Sequence, residues 1–172
     1  VEDLARAIRE VFARADEYQI ETENYSIWGA SAGAHFAGAF GTKNMGYPNY
    51  DLPKPGALVL SYPVISMTKA LAHKQSHDFF LGKNATVERE SFASVEQHVD
   101  PDYPATFIWC SDDDNVVNPD NTRRMIKALE AAHVPVESTI YHGVMHGAGP
   151  ATGTAAEGWI DRAVSFWKKQ GE

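Results

Sequence analysis

Three short stretches of this 172-residue chain carry side chains that could do chemistry together. Gly29-Ala30-Ser31-Ala32-Gly33 sets a serine between two glycines, Asp112-Asp113-Asp114 supplies carboxylates, and His142 and His146 supply imidazoles. A serine hydroxyl is a poor nucleophile until a base takes its proton, and the usual base is a histidine oriented by a carboxylate. The chain order Ser, Asp, His therefore suits acyl transfer through a serine-bound intermediate. Each stretch has a plainer reading alone: an N-capping serine, a solvated acidic turn, histidines on a surface loop. Together they point to chemistry, while the residues themselves leave open which aspartate and which of the two histidines take part.

Positioning such groups needs a scaffold, and the hydrophobic patterning supplies one. Leu4, Ile8, Val11, Phe12 and Ala15 recur at helical spacing, which predicts an amphipathic helix from Asp3. The run Tyr25 to Trp28 reads as a strand entering the Ser31 turn. A helix of small residues with Phe36 and Phe40 follows, closing at Gly41. The two glycines let the backbone turn sharply, and the helix N-terminus favours an anion developing beside Ser31. Residues 42 to 56, rich in Pro, Gly and Asn, read as a surface loop.

Ala57 to Tyr62 and Ala105 to Cys110 are continuous apolar runs, the mark of buried strands, with Val136 to Tyr141 as a fourth. Helices are expected over about Pro119 to His133 and in the segment bearing Trp159, Ile160, Ala163, Phe166 and Trp167. Between Ser66 and Tyr103 the pattern is mixed; it predicts one short helix near Glu88 to His98 and a segment able to cap a site. Strand and helix alternate throughout. The expected architecture is an α/β three-layer sandwich, a mostly parallel sheet with helices on both faces, formed by residues 1 to 172 as one domain. Both the acidic run and the histidines then leave C-terminal strand ends, where open α/β sheets place their sites.

Composition narrows the partners. With 15 Lys plus Arg against 23 Asp plus Glu, the formal net charge is −8, and no basic run offsets it, so nucleic acid is excluded as a partner. No apolar stretch approaches the roughly 18 residues of a bilayer span. The single cysteine, Cys110, cannot form an internal disulfide and reads as core filler. The His and Asp spacings match no zinc motif, so neither metal nor cofactor is expected. The N-terminus lacks a basic segment followed by an apolar one, which predicts a cytoplasmic location, with secretion left open if the beginning lies upstream.

Four segments, Trp28 to Gly33, Gly56 to Ile65, Asp102 to Asn121 and Tyr141 to Gly149, together resemble the α/β-hydrolase superfamily. The resemblance is to bacterial acetyl-esterase or xylan-esterase-like carboxylesterases related to the hormone-sensitive-lipase group. Thr106 to Asn118 is similar to that family's T-F-L-W-H-T-A-D-D-E-V-V-P, which places the carboxylate on Asp114. Gly143 to Gly149 is similar to its G-x-H-G-x-G loop with one residue more, which places the base on His146, with His142 as runner-up. The implied machinery is Ser31 as nucleophile, Asp114 and His146 as its partners, and the Ala32 N–H as oxyanion donor. Val64, Ile65, Val117 and Met145 are the expected substrate-pocket residues.

The implied activity is hydrolysis of short acyl esters, such as acetyl groups on carbohydrate, with a small-molecule ester as partner. A serine peptidase of the prolyl-oligopeptidase type and a non-catalytic binding module are the competing readings. Family members begin with several more strands and an H-G-G-G-type loop, absent upstream of Ser31 here. The expectation is therefore the C-terminal part of a longer hydrolase, or a chain whose sheet is completed by association with a further segment or a second copy.

Overall fold

The computed structural model describes residues 1–172. Its centre is a four-stranded sheet whose strands are all parallel and stand in chain order: β1 (Ser26–Ala30), β2 (Ala57–Ser61), β3 (Ala105–Ser111) and β4 (Val136–Tyr141). Every residue of β2 and β3 is buried, as continuous apolar runs require when both sheet faces are covered. Alternate residues point to opposite faces. Leu58, Leu60 and Ile108 therefore meet α1 (Glu2–Ala13, followed by the short α2, Ala15–Tyr18), α3 (Ala32–Phe40) and α6 (Asp120–Ala131) through Ile8, Ala37, Phe40, Met125 and Leu129. Val59, Phe107 and Trp109 meet α7 (Trp159–Lys168) through Trp159, Ala163 and Phe166. Each such large apolar side chain contributes about 1.5–3 kcal/mol when fully buried.

Covering is uneven. The α7 side stops short of β1, where Trp28 stays 39% exposed with its ring tilted 5.9 Å from Trp159. The outer edge of β1 has no strand beside it. No helix of the structure is long and apolar enough to cross a membrane.

One expectation about local structure is corrected. The segment between β2 and β3 holds two short helices, α4 (Lys74–Phe80) and α5 (Val87–Ala93), the latter followed by a 3₁₀ turn at Val95–Gln97, where one helix was expected. The α4 sequence hides because its buried residue is an imidazole: His77 Nε2 lies 3.1 Å from Glu90 Oε1 on α5. Side-chain caps begin both helices, His73 accepting from the Ser76 amide and Thr86 from the Arg89 amide. Gly41 ends α3 as expected, at φ −74°. Glycine is needed there for close approach, since a Cβ would stand 2.8 Å from the Tyr103 ring and 2.9 Å from Leu58.

Candidate active site

The site grows from the turn between β1 and α3 (a helix of small residues). Ser31 holds φ 54°, ψ −123°, a sparsely populated region for any residue with a Cβ. The strain persists because the backbone on both sides is tied down. The Ser31 N–H donates to the Ser61 carbonyl at 3.0 Å, and the Ser31 carbonyl accepts from the Ala34 and Val64 amides, each at 3.1 Å. Gly29 makes the turn possible, because a Cβ there would lie 2.5 Å from the Gly33 carbonyl oxygen. Gly33 itself faces open space. At the first position of α3, the Ala32 N–H has no backbone acceptor.

Two further loops meet this turn. His146 Nε2 lies 2.8 Å from Ser31 Oγ, and His146 Nδ1 lies 2.7 Å from Asp114 Oδ2. The other oxygen of Asp114 accepts from the Val116 and Val117 amides at 2.9 and 3.0 Å, so the carboxylate is oriented from both ends. Its side chain is only 1% exposed. An acceptor carboxylate on Nδ1 fixes the tautomer that leaves Nε2 free to take a proton from Ser31. Behind the imidazole, the Tyr62 ring packs at a centroid distance of 4.8 Å and a steep angle, itself backed by Trp109 at 5.0 Å. Neither sequence pattern nor resemblance singled out Tyr62; a positive φ of 38° just past β2 is its structural signature.

The alternatives within each stretch separate cleanly. His142 pairs with Asp112 at 2.8 Å in solvent, its side chain 80% exposed, and the bond to Asp112 raises its pKa. Asp113 accepts from Ser111 Oγ and the Gly143 amide, and these bonds, the hydroxyl's first, hold its carboxyl below the usual range. Asp112, Asp113 and His142 thus gather in a group with ligand atoms within 4.8 Å of one another, a proximity the spacings did not suggest. All three are exposed. Burial pushes the Cys110 thiol up, away from nucleophilic use.

A cavity of about 620 Å³ opens beside Ser31, Ala32 and His146. Its remaining walls come from α3 (His35, Phe36), from Met67, from α4 and the residue before it (His73, Ser76, Phe79, Phe80), and from Val116. Capping by the segment between β2 and β3 is therefore observed. The expected pocket residues are corrected. Val64, Ile65 and Val117 are buried and do not line this cavity: their side chains turn into the core because the backbone next to them is pinned. Val64 holds the elbow through its amide. Ile65 and Ser66 donate to Asn121 Oδ1 at 3.0 and 2.9 Å. Val117 serves Asp114 with its amide and packs its side chain against Val64 and Met67 in a third core cluster. The neighbouring Val116, half-exposed, is the one that faces the cavity. Met145 stands apart, 75% exposed, at a smaller cleft of about 400 Å³ on the other side of His146.

Comparison with known proteins identifies the family. The family model described as BD-FAE matches residues 1–129, three quarters of the chain. The chain belongs to the BD-FAE family. The BD-FAE chain is 32% identical over 165 residues to endo-1,4-beta-xylanase B of Butyrivibrio fibrisolvens, a match covering 92% of the chain and 26% of that protein. It is 30% identical over 158 residues to an acetylxylan esterase of Xylanibacter ruminicola, covering 88% of the chain and 32% of that protein. Among solved structures, the acetyl ester-xyloside bifunctional hydrolase of Caldicellulosiruptor lactoaceticus superposes with a TM-score of 0.87 at 29% identity, over 98% of the chain and 65% of that structure. The carboxylesterase Cest-2923 of Lactobacillus plantarum superposes at 0.77 with 20% identity, over 98% of the chain and 66% of that structure. The fold is that of the α/β hydrolases. The BD-FAE chain spans about a quarter to a third of the curated relatives it matches.

Proposed function

We propose that the protein is a serine carboxylesterase acting on short acyl esters, with acetyl groups on carbohydrate as the substrate class. The observation that carries the reading is the unbroken relay from Ser31 Oγ through His146 to Asp114, at 2.8 and 2.7 Å. Ser31 Oγ attacks the ester carbonyl while its proton passes to His146 Nε2. Asp114 stabilises the imidazolium, and the Ala32 N–H receives the oxyanion, as does any donor brought by neighbouring chain. Collapse breaks the bond to the alcohol, which leaves with the proton from His146. Water then attacks the acyl-Ser31, giving its proton to His146, and the acid is released as Ser31 is restored.

The carbohydrate part of the reading is supported by the acetylxylan esterase relative and the acetyl ester-xyloside hydrolase, together with the cavity of about 620 Å³, large enough for more than an acetyl group. The test is labelling with a fluorophosphonate probe, followed by hydrolysis of 4-nitrophenyl acetate and of acetylated xylose. Labelling at Ser31 with turnover of both esters is expected. A folded sample that neither labels nor turns over ester would overturn the reading, and cleavage of prolyl peptides instead would replace it with a peptidase.

A further inference from the structure

The imidazole of His35 is buried on α3, four residues after Ser31, and it borders the same cavity. Its Nε2 lies 2.8 Å from the Ala93 carbonyl at the end of α5. A carbonyl only accepts, so Nε2 carries the proton and donates it there. Burial lowers the pKa of this ring against the opposing pull of that carbonyl, which keeps the ring neutral near pH 7. Nδ1 is then an unprotonated lone pair, and it has no donor within the protein. The Phe80 ring meets the imidazole edge-on at a centroid distance of 5.4 Å and closes off its surroundings with apolar surface.

Two other polar groups of the cavity are paired with each other. Ser76 Oγ and His73 Nδ1 bond each other at 2.9 Å, and Gln75 is exposed to water at the rim. The His35 Nδ1 acceptor is not walled off with the rest of the ring, and a ligand hydroxyl entering the cavity would complete it. Ser31 and His35 line the same cavity, so an ester seated against Ser31 can present a hydroxyl to His35.

We propose that His35 Nδ1 is a specificity-determining acceptor for a hydroxyl group carried by the ester in the cavity. The proposal rests on the ester-hydrolase reading of Ser31 and narrows its substrate class to hydroxylated esters. The donor is one O–H group, on the alcohol half or on the acyl half of the molecule.

Two pairs of esters, each pair differing by one hydroxyl, separate these sources in the intact protein. One pair is an acetylated pentose and its O-methylated counterpart. The other is 4-nitrophenyl glycolate and 4-nitrophenyl acetate. His35→Gln keeps an N–H for the Ala93 carbonyl while taking the acceptor away from the Nδ1 position, whereas His35→Asn places an acceptor where Nδ1 stood. In His35→Gln, the kcat/KM preference for the hydroxylated member of one pair is expected to fall about tenfold, and His35→Asn to recover part of it. The pair affected identifies the half that carries the hydroxyl. An unchanged preference in both pairs would overturn the proposal.

Nitrogen NMR of the His35 ring in Ser31→Ala protein gives a readout without turnover. The Nδ1 resonance should move with a hydroxylated ester and stay put with its hydroxyl-free partner. Equal responses, or none, would overturn the proposal. Absence of hydrolysis in the unaltered protein would count against the Ser31 reading alone and leave this measurement decisive for His35.

Discussion

The elbow at Ser31 and the cap formed by α4 and α5 border one cavity yet are held by opposite means. Around Ser31 the bonds are backbone to backbone, from Ser61, Ala34 and Val64, and the crowding that Gly29 relieves is also with backbone. The cap is fastened by side chains. His77 bridges to Glu90, Glu90 Oε2 accepts from the Lys69 amide at 3.3 Å, and Ser94 Oγ accepts from the Met67 amide while donating to the Glu90 carbonyl. A backbone frame tolerates few sequences but places the attacking oxygen within narrow limits. A side-chain frame can be rewritten residue by residue, so substrate choice can drift on this cap while the chemistry below stays fixed.

That contrast can be broken at measurable points. The largest effect is expected at the relay the elbow serves: Asp114→Asn should lower kcat about 10⁴-fold with the melting temperature little changed, because an amide favours the wrong imidazole tautomer. Steady-state kinetics beside a thermal melt checks it, and a loss under tenfold would separate Asp114 from the reaction. Next comes Gly29→Ala, where a methyl group meets the Gly33 carbonyl oxygen at 2.5 Å. A loss of about 3 kcal/mol in urea unfolding is expected, since neither partner is a side chain that can swing away.

The cap should respond more mildly. Glu90→Ala leaves the His77 ring without its Nε2 partner in a site where both side chains are buried. About 2 kcal/mol of stability should be lost. Hydrogen exchange should accelerate in α4 and α5 ahead of the sheet, with KM rising more than kcat falls. Smallest is Gly33→Ala, since nothing lies within 4 Å of the added methyl. Stability within about 0.5 kcal/mol of the unaltered protein is expected by the same unfolding measurement. A larger loss there would mean that the second glycine of the turn is as constrained as the first.

The backbone-built part was the more legible in the sequence. β2 and β3 announce themselves as unbroken apolar runs, and the turn between Trp28 and Ala34 is marked by its glycines, because those patterns are local. The choice of Asp114 over its two neighbours came from resemblance, since three adjacent carboxylates look alike until the Val116 and Val117 amides select one. The cavity wall was illegible for a related reason. Val117 and Val116 are interchangeable on paper, since both amides donate to Asp114, and what separates them is that Val117 packs with Val64 and Met67 while Val116 borders the cavity. Helix α4 was missed because a histidine stands where a periodic pattern would show an aliphatic residue, satisfied by a glutamate 13 positions away.

Because the strands stand in the sheet in the order in which they are synthesised, a growing chain can add each new strand to one already docked. Ser31 is made early in that sequence, while the imidazole that hydrogen-bonds it arrives 115 residues later. At a ribosomal pace of about 5–20 residues per second, roughly 6–23 seconds separate the two events. A nascent chain would therefore carry the serine with an idle hydroxyl, and on the proposed ester-hydrolase reading reactivity would switch on only once the loop after β4 has emerged and closed over it.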